Sequence, residues 1–155
     1  MSSINLHGVL TKKSNVWAYI SSPAETTITT AGTYYPIQGT FVNTLKDFGA
    51  ATVNAPGIKY VWTLTRDFKI LIQGQVGSDN SNTTVTLGIK KNGTLITGSP
   101  ISTLCRVADE PYYIGSVVMI ELAENDEIQL VTTADGNGDK VTYENLQTLI
   151  EPISI

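Results

Sequence analysis

Apolar and polar positions alternate most cleanly between Asp67 and Thr97, in DFKILIQGQVGSDNSNTTVTLGIKKNGTLIT. Phe68, Ile70, Ile72, Gly74 and Val76 fall on one face of an extended chain and Lys69, Leu71, Gln73 and Gln75 on the other, because successive side chains of a strand point to opposite sides. After the polar loop SDNSN, Thr83, Val85, Leu87 and Ile89 take one face and Thr84, Thr86, Gly88 and Lys90 the other. Asn92-Gly93 then predicts a hairpin, since a type I′ turn needs positive φ at both central positions. A third strand, TLITG, runs back from it.

The rest of the chain repeats this material less regularly. TTITT and TYYPIQGTFV predict strands from Glu25 onward, with Pro36 placing the second at a sheet edge because it cannot donate to a ladder. A short strand from Ala50 to Val53, a turn at Ala55-Pro56-Gly57 and the strand IKYVWTLT follow. ISTLCRV, YYIGSVVMIEL and EIQLVTT are read as strands separated by the turns ADEP and AEND. VTYENLQTLIEPIS carries two patterns, since Tyr143, Leu146, Leu149 and Ile150 also fit a helical period. The all-β surroundings and the terminating Pro152 favour a strand there.

Residues 1 to 24 keep neither period. They predict an N-terminal arm: an edge strand, NVWAYIS, packed on the domain, a segment that docks on a partner with Trp17 and Tyr19 as its anchors, or a disordered tail. Residues 25 to 155 predict one domain. The expected class is all-β, an antiparallel β-sandwich of the jelly-roll kind with about eight to ten strands. An immunoglobulin-type sandwich lacks support because its Cys…Trp…Cys core is absent.

Composition narrows the partners. Charged residues make up 15% of the 155 positions, against about 25% in an average soluble domain. The net charge of −4 argues against nucleic acid or an anionic membrane as partner. No apolar run approaches the ~20 residues that span a bilayer, and the N-terminus does not read as a classical secretory signal. Cys105 is the single cysteine, so no intramolecular disulfide can form. A chain with so little surface charge can stay soluble by burying part of its exterior in an oligomer. The face carrying Leu71, Gln73 and Gln75 is nearly uncharged, which makes those residues the expected subunit interface.

No constellation names a reaction, and an enzyme is not expected. His7 is the only histidine and lies in the predicted arm, remote in sequence from Cys105, so neither a triad nor a zinc site has its residues. Asp135, Asn137 and Asp139 alternate like the first ligands of a calcium loop. Lys140 stands where that loop needs glycine and Leu146 where it needs glutamate, so a plain turn is the preferred reading and no cofactor is expected. Glu121, Glu124, Asp126 and Glu127 gather at one turn and read as a solvated cluster.

Taken together, TTITTAGTYYPI, YVWTLTRDFKILIQGQV, TVTLGIKKNGTLI and VVMIELAENDEIQLVTT resemble, in order and kind, the jelly-roll trimer superfamily of tumour necrosis factor and the complement globular heads, especially its versions in bacteriophage structural proteins. The resemblance spans roughly residues 25 to 155. It implies a sandwich that forms a homotrimer and binds or builds rather than catalyses. It further implies a capsid decoration (cement) protein that contacts the major capsid protein or another virion protein. Assembly in the host cytoplasm and a place on the capsid surface of the virion would follow. The alternative is a receptor- or carbohydrate-binding knob or adaptor of a phage fibre or spike, although the chain shows no heptads for a shaft.

Overall fold

Alternation becomes strand pairing in the computed structural model, which describes residues 16–44, 48–50, 57–61 and 63–153. In chain order the strands are β1 (Val16–Pro23), β2 (Thr26–Ile28), β3 (Tyr35–Pro36), β4 (Gly39–Thr44), β5 (Phe48–Ala50) and β6 (Gly57–Tyr60). They continue with β7 (Arg66–Ser78), β8 (Thr83–Lys91), β9 (Thr94–Leu95), β10 (Ile101–Cys105), β11 (Tyr112–Leu122), β12 (Glu127–Ala134) and β13 (Asp139–Pro152). No helix occurs among the described residues. One sheet runs β11-β7-β13-β1-β4, with β2 also beside β13. The other runs β10-β8-β12-β6-β5, with β3 beside β12 and β9 beside β8. Sequence neighbours seldom pair: β7 lies between β11 and β13, and β8 between β10 and β12. This is the crossed topology of a jelly roll, as the turn spacing predicts.

The core forms between the inner faces of the two sheets. Phe68, Ile70, Ile72 and Val76 from β7 meet Val85, Leu87 and Ile89 from β8, all fully buried. Each such side chain contributes about 1.5–3 kcal/mol relative to an exposed one. Tyr60 packs edge-on against Phe68, with ring centroids 5.2 Å apart. One polar thread crosses this core. Thr132 Oγ1 donates to the Thr86 carbonyl at 3.1 Å and lies 2.8 Å from the Tyr143 hydroxyl. Because the threonine proton is committed, the phenol donates to Thr132, and burial pushes the Tyr143 pKa far up. Tyr143→Phe therefore removes one donor while Thr132 keeps Thr86. It should cost about 1 kcal/mol in urea unfolding; a cost near that of a large core truncation, about 3–5 kcal/mol, would show that the thread bears more of the fold than this.

The Asn92-Gly93 turn forms with φ of 51° and 81°, as its sequence predicts. The 143–150 segment is a strand, and its helix-like spacing has a local cause. The register between β13 and β7 slips between Glu144 and Gln147, Asn145 takes φ 52°, and Leu146 turns inward only three residues after Tyr143. A bulge of this kind puts two residues opposite one. Gly74 sits under it: a Cβ there would lie 2.8 Å from the Leu146 Cα.

Two expectations change. TYYPIQGTFV does not form one strand; β3 belongs to the second sheet and β4 to the first. Pro36 lacks a donor, and Gly39 has φ 139° with its absent Cβ facing the Ser22 carbonyl at 2.9 Å, so the chain changes sheets between them. Residues 16–23 of the expected arm form β1, paired with β13 on one side and β4 on the other, and so are neither an edge strand nor a separate arm. Ala18 and Ile20 point into the core, an alternation too short to stand out in the sequence. Residues 1–15 of the arm, His7 among them, the predicted strand beyond Ala50, and Trp62 lie outside the described residues.

Candidate functional site: the outer face of the first sheet

The residues singled out from the sequence meet on one surface. Inward alternation along β7 leaves Leu71, Gln73 and Gln75 on the outer face of the first sheet, Gln73 exposed and the other two half-buried. Alternation along β1 leaves Trp17 and Tyr19 on that same face, their rings 4.7 Å apart. Strand register aligns them: Trp17 pairs with Leu149, Leu149 with Leu71, and Leu71 with Val117. The neighbouring row runs Val42, Tyr19, Gln147, Gln73 and Gly115. At about 4.8 Å per strand the four-strand row extends roughly 14 Å and the five-strand row roughly 19 Å across the sheet. Charge is pushed to the margins, where Lys69 and Glu151 neutralise each other at 2.7 Å. The nominated anchors and the nominated interface are thus parts of one surface, which also includes Val42, Val117, Met119 and Leu149.

A second apolar area wraps the flank next to it, where β11 and β10 form the adjoining edges of the two sheets. Ile101, Leu104 and Val107 are exposed there, as are Tyr113, Val117 and Met119 on β11. An open groove of about 340 Å³ joins the two areas, lined by Leu71, Pro100, Ile101, Tyr113 and Val117. Tyr113 is 70% exposed and lies along its strand over Gly115, where a Cβ would stand 2.6 Å from its hydroxyl.

The turn with alternating oxygens does not gather them. Asp135 Oδ1 accepts from the Thr84 amide, Asn137 Oδ1 from the Ala31 amide and Asp139 Oδ1 from the Asn80 side chain. These donors belong to three different segments, so the loop ties the end of the sandwich together rather than converging on a cation. Among the described residues no three His, Cys, Asp or Glu side chains stand close enough to hold a metal ion. A polar cleft of about 230 Å³ opens nearby, lined by Glu25, Gln75, Asp79, Asp109, Lys140 and Glu144.

At the opposite turn, Asp126 is a junction rather than a solvated charge. Its carboxylate accepts from the Ala123 amide and the Asn92 side chain, both at 2.8 Å, and stands 3.3 Å from Lys91 Nζ. Burial pushes its pKa up, but these donors and the Lys91 charge together outweigh that and hold it below the usual carboxylate value. A depressed folded pKa stabilises above the unfolded value and is lost as pH falls through the folded one. Asp126→Asn should therefore lower stability at pH 7, and the gap to the parent protein should close as pH falls below about 4. Urea melts at several pH values check this; a gap independent of pH would contradict it.

No family model matches the chain, and no curated protein matches its sequence. Among solved structures its fold is similar to that of Eiger TNF from S. frugiperda, with a TM-score of 0.56 at 9% identity over 90% of this chain and 93% of that one. Dimeric latent PorU from Porphyromonas gingivalis also matches, with a TM-score of 0.42 at 10% identity over 88% of this chain and 13% of that one. A family 35 carbohydrate-binding module from Clostridium thermocellum matches with a TM-score of 0.35 at 11% identity, over 84% of this chain and 90% of that one. The last two scores are too low to carry an argument, and at 9% identity the first speaks for architecture alone. The chain is an all-β jelly-roll sandwich with the architecture of a tumour necrosis factor domain.

Proposed function

We propose that this chain is a non-enzymatic jelly-roll protein that assembles with copies of itself as a homotrimer and decorates the capsid of a phage virion. The observation that carries the assembly is the outer face of the first sheet, where Trp17, Leu149, Leu71 and Val117 line up across four strands with almost no charge between them. Solvated sheet faces ordinarily alternate toward charged and polar residues, and a contiguous apolar face marks an interaction site. Ile101, Leu104 and Val107, the part of the apolar flank beside β10, lie off this face at the edge of the second sheet. Contact between unlike surfaces generates rings rather than two-fold dimers, which is the geometry a trimer requires. The virion placement rests on the resemblance of the four quoted segments to phage structural proteins, with the major capsid protein or another virion protein as partner.

The exposed ring of Tyr113 beside the groove favours a second reading, a receptor- or carbohydrate-binding knob or adaptor. Gold labelling of purified particles with an antibody to the chain separates the two. Label spread over the shell is the expected result; label confined to fibre tips, or absent from particles, would sink the decoration reading.

A further inference from the structure

We propose that Met119 is an oxidation site whose sulfoxide weakens self-association through the face of the first sheet, an inference that rests on the assembly proposed above. The fold treats its sulfur atoms unequally. Cys105 is fully buried, its Sγ 3.8 Å from the Val76 carbonyl, and burial pushes the thiol pKa up, so little reactive thiolate is presented to solvent. Met119 is 70% exposed on the outer side of β11, in register with Lys69 and two residues from Val117. An oxidant of the peroxide class would reach the thioether and not the thiol.

The chemistry is self-contained once peroxide is supplied. A lone pair on Met119 Sδ attacks one peroxide oxygen, the S–O bond forms as the O–O bond breaks, and the departing hydroxide takes the proton of the new S–OH group, leaving the sulfoxide and water. Sulfur loses two electrons and peroxide gains them. The product replaces a flexible apolar side chain with a polar, chiral one. A sulfoxide dipole carried into an apolar contact gives up its water, which should weaken each contact by about tenfold or more.

The test measures mass in solution across a dilution series before and after peroxide, with peptide mapping to locate the added oxygen. The expected result is oxidation at Met119, faster in dilute than in concentrated protein, together with dissociation at about tenfold higher concentration. Met119→Leu should assemble like the parent and lose its sensitivity to peroxide, which also removes any contribution from Met1. Met119→Gln should dissociate without peroxide, and circular dichroism checks its fold. Should Met119→Gln fail to fold, peroxide on parent and leucine variant still decides. An assembled protein whose Met119 sulfoxide form dissociates no more readily overturns this inference alone. A parent protein that is a single chain at every concentration overturns the assembly reading and this one with it.

Discussion

Leu71→Arg should give a folded single chain. Leu71 lies at the middle of the apolar row, between Leu149 and Val117, and its side chain points away from the core. In the isolated chain the new guanidinium would stand in water, at little cost to folding. Packing that face against an apolar surface of another copy would strip the charge of water. The penalty for an unpaired buried charge is several kcal/mol, enough to weaken association by about a thousandfold or more. Light scattering and circular dichroism read the two halves of this expectation, mass and fold. Glu124→Arg, on the exposed turn between β11 and β12 and outside both apolar areas, is the control and should change neither. A Leu71→Arg protein with the parent's assembled mass would exclude this face as the contact.

A chain begun at Ala24 should not reach the native fold. β1 supplies the pairing between β13 and β4, and through Ala18 and Ile20 part of the core. Without it β4 loses its partner in the sheet, and β13 loses its partner at residues 147–150 while Thr148 and Ile150 lose their cover. Unpaired backbone and exposed core together cost an amount comparable with the entire 5–15 kcal/mol by which a domain is stable. Far-ultraviolet circular dichroism and a urea titration should show no cooperative transition. A cooperative transition near the parent's midpoint would mean that β1 is a dispensable addition.

The legible parts of this fold are those where local chemistry and tertiary position agree. From Phe68 to Lys91 one face is buried and the other is not, and Asn92-Gly93 makes its turn from residues that favour it, so alternation alone recovers the meander. β13 is harder to read because the bulge at Glu144–Gln147 turns a period of two into a spacing of three, and the glycine that leaves room for it, Gly74, lies on another strand. β1 is obscure for a different reason. Its inward residues are Ala18 and Ile20, and its outward residues, Trp17 and Tyr19, are the more hydrophobic-looking pair. The signal of a core strand was therefore inverted, and aromatic residues that read as anchors of an arm belong to the sheet.

The candidate site shows the same division. Leu71, Gln73 and Gln75 can be found because their own strand carries little charge on that side. Leu149 could not, since the bulge hides which way it points, and Val117 and Met119 lie on the side of YYIGSVVMIEL that the buried Ile114, Val118 and Leu122 leave outward. That these residues and Trp17 share one surface depends on register across strands from both ends of the chain, which no local pattern carries. The Asp135, Asn137 and Asp139 triplet fails for the converse reason. Its spacing is suitable for a cation, but each side chain has an oxygen taken by its own donor, on Thr84, Ala31 or Asn80.

The measurement that bears most directly on the assembly is the mass of the purified chain in solution at micromolar concentration, by light scattering or sedimentation. The expected value is three times the 16.7 kDa mass of one chain, falling to the mass of one chain for Leu71→Arg with its circular dichroism unchanged. A single-chain mass for the parent protein at that concentration would contradict it.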